Sequence, residues 1–154
     1  MPATPENQSS TAVEAQIESV RSTLKFFRVT SYVTGIVLLL VMALFVLRRG
    51  VGFELWAFGP NGVISVEPFF EDKSLMPFTG LSLTMAILIV HGWLYVAYLF
   101  GDFRLWTLLR WSFWRFLVIA AGGVVPFLSF FTERHFTKIA RADLAQLEKA
   151  GKAN

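Results

Sequence analysis

Between Arg28 and Arg48 the chain runs for 19 residues, Val29–Leu47, without a charge. A helix of that length reaches about 28 Å, close to the ~30 Å hydrocarbon core of a bilayer. The run ends at Arg48-Arg49 with no small-residue cleavage site, so it reads as a retained membrane helix rather than a signal peptide. Composition agrees with this reading. Apolar residues make up 55% of the 154 residues and charged ones only 16%, below the roughly 25% of a soluble domain.

A second uncharged stretch lies within residues 74–101, broken only by His91, and predicts a span over about 78–100 with Pro77 in its first turn. A third run, 116–132, holds no charge for 17 residues, at the short limit for a crossing, with Arg115 snorkelling and Pro126 kinking the helix. The resulting fold class is all-α: an integral membrane protein with three transmembrane helices plus amphipathic N- and C-terminal helices.

Outside the spans, residues 1–10 are polar and predict a disordered tail. Thr11 to Glu14 has the form of a capping box that starts a helix over 11–27. Its apolar stripe is Val13, Ile17, Val20, Leu24 and Phe27, fit to lie on headgroups or to pack on a partner. Residues 50–77 form an aromatic connection with a turn signal at Gly59-Pro60-Asn61-Gly62. An interfacial loop is favoured there over a hairpin, because an isolated hairpin is marginal. Gly101-Asp102-Phe103-Arg104 predicts a break after the second span, and residues 133–154 a polar helical tail.

Trp106, Arg110, Trp111, Trp114 and Arg115 form an aromatic and basic belt, expected to anchor one interface. With three crossings the two sides carry nearly equal basic residues near the membrane. The acidic 50–77 segment gives a slight lean toward an N-terminus inside.

Thr84, His91, Tyr95, Tyr98 and Asp102 recur at steps of 7, 4, 3 and 4 residues and share one face of the second helix. The favoured reading of this stripe is a hydrogen-bonded seam between helices. A proton path or ligand site comes second, since an intramembrane ionisable residue is costly and usually faces a partner or cavity. Haem ligation comes last, as the only other histidine, His135, lies past the third span. Gly35, Gly80, Gly92 and Ala120-Ala121-Gly122-Gly123 read as close helix contacts.

The absence of cysteine excludes disulfides and thiolate clusters. No nucleophile elbow, HExxH or phosphate loop is present. The net charge of +3 sits at helix ends rather than in a stripe for nucleic acid. No catalytic residue, metal site or cofactor is expected, and the partners expected are the lipid bilayer and other membrane proteins or a second copy.

FRVTSYVTG (27–35), HGWLYVAY (91–98), LRWSFWR (109–115) and PFLSFFTER (126–134) together resemble the domain-of-unknown-function 3817 family over roughly residues 26–136. The resemblance implies three spans and a bacterial, often actinobacterial, inner membrane, and no reaction. Members often have Glu before the Gly of the first span where this chain has Thr34, so a carboxylate that could pair with His91 is missing. The functional expectation is a non-enzymatic accessory or scaffold subunit of a larger membrane complex, respiratory or envelope-building. The alternative is a small oligomeric transporter or channel using the His91 stripe.

Overall fold

The structure is a computed structural model that describes residues 5–72, 77, 79–125 and 127–153. Helix α1 spans Pro5–Val46, about 63 Å at 1.5 Å per residue. A π-helical turn, Leu47–Val51, ends it at Gly52, whose φ of 80° closes the cap. Strands β1 (Phe53–Gly59) and β2 (Gly62–Pro68) follow, then β3 (Leu81–Ser82), α2 (Leu83–Leu109), α3 (Phe113–Gly122) and α4 (Leu128–Ala153).

Two expectations at the N-terminus change. Residues 5–10, assigned to a disordered tail, are helical, and Thr11–Glu14 lies inside α1 rather than capping it; residues 1–4 lie outside the described residues. The stripe of Val20, Leu24 and Phe27 is buried against the chain's own helices. That burial lets α1 run without a break from its polar start into its apolar half.

Within the 50–77 connection, residues 53–68 form a hairpin rather than the expected interfacial loop. β1 pairs antiparallel with β2 through Gly59↔Gly62, and β3 adds to the other edge of β1 in the order β2-β1-β3. Two contacts remove the marginality of an isolated hairpin. Phe69 lies under the guanidinium groups of Arg48 and Arg49, at 4.3 and 5.4 Å from its ring centre. Glu54, 3% exposed, accepts the Ser82 hydroxyl and lies 3.8 Å from Arg48. The same Ser82 hydroxyl accepts from the Met85 N–H at 3.2 Å, capping α2. The sheet is thus tied to the end of α1 and the start of α2.

The second helix also departs from expectation. It starts at Leu83, so Pro77 precedes it rather than occupying its first turn, and Phe78 lies outside the described residues. It runs straight through Gly101–Arg104 to Leu109. At Gly101 α1 packs close: a Cβ there would meet the Phe26 ring at 3.2 Å. Packing on α1 offsets the glycine's poor helix propensity.

The third uncharged run is not one helix. Ten residues form α3, turn or bend residues follow at Gly123, Val124, Val125 and Phe127, and α4 then returns antiparallel to α1. Arg28 donates to Glu133 at 3.0 Å and Arg21 to Glu148 at 2.7 Å, so α4 descends as α1 ascends. The C-terminal helix and the N-terminal half of α1 therefore lie at the same end of the molecule. The kink expected at Pro126 falls outside the described residues. A 17-residue run without charge is as compatible with a helix that turns back as with one that crosses, because hydropathy registers depth and not direction.

The core lies toward the basic end of the bundle, where Leu24, Phe27, Tyr98, Leu105, Trp111, Ile119, Phe136 and Ala140 meet.

Candidate functional site

On α2, Thr84, His91, Tyr98 and Asp102 are buried and Tyr95 is half-buried, all on the face turned to α1 and α3. The rings form a ladder. His91 stacks on Tyr95 with centroids 6.3 Å apart, Tyr95 on Tyr98 at 6.2 Å, and Tyr98 on Phe27 of α1 at 5.5 Å.

Two hydroxyls of the stripe have a defined use. A helix leaves its last carbonyls without intrahelical partners. At the end of α3 the Gly123 N–H turns to Ala120 at 3.1 Å, and the N–H groups of Val124 and Val125 turn to Ala121. Tyr98 donates its hydroxyl to the Ile119 carbonyl, and Tyr95 donates to Ala120 at 3.2 Å. The glycines make this approach possible. A Cβ on Gly123 would lie 2.5 Å from the Tyr95 ring, and one on Gly122 would lie 2.5 Å from the Thr132 hydroxyl.

Thr34 is fully buried and donates to the Leu94 carbonyl at 3.3 Å. It bridges α1 to the His91 turn of α2. Three members of the stripe keep unused capacity: the Thr84 hydroxyl, Nδ1 of His91 and both carboxylate oxygens of Asp102 are buried with no hydrogen-bond partner. Asp102 is 0% exposed. Among the described residues no three His, Asp or Glu side chains gather as metal ligands would. His135 is on α4, stacked on Phe131.

The five belt residues divide. Trp114 is 73% exposed. Trp111 is a core residue: it is buried, packs on Phe136 and donates its indole N–H to Asp143 at 2.9 Å. Trp106 is half-buried among Phe103, Phe113 and Phe116. Arg115 lies over the Trp111 ring at 5.8 Å, and Arg110 ends α2 in the left-handed region with φ of 49°. Trp111 leaves the belt because α4 returns to cover it, which a third crossing would not do.

Sequence reasoning missed two residues that matter here. Glu133, 2% exposed, accepts from both Arg28 and Thr137. Glu54 holds the sheet. Glu133 was visible in the PFLSFFTER element, but nothing in its spacing names a partner 105 residues earlier.

The helices α1 and α2 are long and apolar enough to cross a membrane, and only 28% and 11% of their most apolar windows is buried. The core helix of a soluble protein would be mostly buried. The molecule is thus mostly helical, with two candidate membrane-spanning helices and a small antiparallel sheet. Over residues 24–138 it matches the family described as Domain of unknown function (DUF3817), and the chain belongs to that family. Comparison with curated proteins and with solved structures gives no match.

Proposed function

We propose that this chain is a non-enzymatic accessory or scaffold subunit of a bacterial inner-membrane complex, crossing the bilayer twice through α1 and α2. In this reading α3 and the start of α4 form a re-entrant hairpin. Ten residues of α3 rise about 15 Å, half the hydrocarbon thickness, before the chain turns back. The charge distribution supports an orientation. Of the twelve Lys and Arg with described side chains, only Arg48 and Arg49 belong to the sheet end; the other ten belong to the end that holds both termini. The positive-inside rule then puts both termini in the cytoplasm and the sheet outside.

The observation that carries the scaffold reading is the use of Tyr95 and Tyr98. Their hydroxyls cap the end of α3, so the centre of the stripe holds helices together instead of lining a path. The cytoplasmic halves of α1 and α4 pair into a stalk. The α1 side of it measures about 36 Å from Pro5 to Arg28, long enough to pass through the headgroup zone and reach a partner beyond it. Purification in mild detergent at native expression levels, with the size of the native particle measured, tests this. A larger particle with a reproducible partner is expected; a lone monomer in every preparation defeats the reading.

The unpartnered Asp102 carboxylate and Nδ1 of His91 favour one second reading, an oligomeric transporter or channel whose axis they would line. A His91→Ala variant in proteoliposomes separates the two. Lost flux supports transport, while an unchanged particle with no flux in either protein supports the scaffold.

A further inference from the structure

The turn from α2 to α3 opens on a cavity of about 680 Å3 between α1 and α4. Gln16, Arg110, Trp111, Arg115, Asp143 and Leu147 are among its walls. The volume suits a small bound group, for which sites are typically about 300–1,000 Å3.

Three features point to the ligand. Arg110 and Arg115 are exposed, and neither forms an ion pair among the described residues. The facing carboxylate, Asp143, accepts from the Trp111 indole, and the two guanidinium groups outnumber it in the cavity lining. Arg110 is held at φ of 49°, in the position after a helix where glycine or asparagine is normally found. A side chain retained there against backbone preference points to a use for the side chain. Finally, Phe113 and Trp114, which stand in the chain between the lining residues Ser112 and Arg115, are 58% and 73% exposed. That is the pattern of the headgroup zone, with acyl chains beside the aromatics.

We propose that this cavity binds the phosphodiester headgroup of an anionic phospholipid, with Arg110 and Arg115 gripping the phosphate. Arginine suits the role because its planar fork meets phosphate oxygens through two donors at once. The proposal rests on the membrane reading above and narrows the lipid partner to one class and one site.

Native mass spectrometry tests it on protein exchanged into equimolar phosphatidylglycerol and phosphatidylcholine. The wild type retains phosphatidylglycerol in preference. The Arg110→Gly, Arg115→Gln double variant, in which glycine accepts the backbone geometry, loses that preference by roughly tenfold or more. Arg134→Gln, an exposed cation elsewhere on α4, leaves it unchanged. Equal retention of both lipids, a loss with Arg134→Gln as large as with the double variant, or full displacement by inorganic phosphate overturns the proposal. Extraction of the protein from membranes by alkaline carbonate instead defeats the membrane reading itself, so the two failures are distinguishable.

Discussion

Arg28 of α1 donates to Glu133 of α4 at 3.0 Å, joining the start of the first apolar run to the end of the last. In a chain that crossed three times these residues would face opposite sides of the bilayer, because one begins the first span and the other follows the third. Their pairing, repeated by Arg21 and Glu148 further along the same two helices, makes the last apolar segment a hairpin.

The two ion pairs differ in worth. Glu133 is 2% exposed, and Arg28→Ala leaves its carboxylate buried with Thr137 as remaining donor. The expected cost is about 1–3 kcal/mol. Arg21 and Glu148 are 58% and 38% exposed at their side chains, so Arg21→Ala costs under about 1 kcal/mol. Thermal unfolding in detergent reads the difference. Equal effects would show that the inner pair does not hold α4 in place.

The caps on α3 make a second prediction. Tyr98→Phe leaves the Ile119 carbonyl without its donor and is expected to cost about 1–3 kcal/mol. Gly123→Ala drives a methyl group into the Tyr95 ring and lowers stability by about 1–3 kcal/mol. Gly92→Ala serves as the control: a Cβ there meets nothing within 4 Å, and alanine favours the helix. The melting temperature falls for the first two variants and holds or rises for the third.

The two long apolar helices were legible in the sequence and the return of the last helix was not. Val29–Leu47 and the apolar stretch around His91 exceed what any turn tolerates, and both became helices. The spacing of Thr84, His91, Tyr95, Tyr98 and Asp102 gave their common face without any tertiary information. Gly122-Gly123 was read as helix contact, which it is, but it also marks where α3 stops. A glycine pair carries both meanings, and only Tyr95 and Tyr98 seated on the carbonyls beside it decide between them. The hairpin's turn was equally visible at Gly59 to Gly62. What stabilises it lies in long-range partners, Arg48 with Glu54 and Phe69, which local pattern does not reveal.

Asp102 is the residue whose burial is least explained by packing. An ionised carboxylate with no donor, deep in a helix interface, is costly. Asp102→Asn keeps the shape and removes the possibility of a buried charge, so the melting temperature is expected to hold or rise. A fall equivalent to more than about 1 kcal/mol would reveal a partner that the carboxylate depends on. In the scaffold reading the same variant leaves assembly with partners intact, which size-exclusion chromatography of the native complex measures.

The chain has no cysteine, so single cysteines report topology without background. Ser22→Cys on α1, Asn61→Cys at the hairpin tip and Ala150→Cys near the end of α4, each labelled with a membrane-impermeant maleimide in intact cells and again after lysis, measure sidedness directly. Two crossings and a re-entrant hairpin predict that Asn61→Cys labels in intact cells, while Ser22→Cys and Ala150→Cys label only after lysis. Labelling of Ala150→Cys together with Asn61→Cys in intact cells would contradict the account and restore a third crossing.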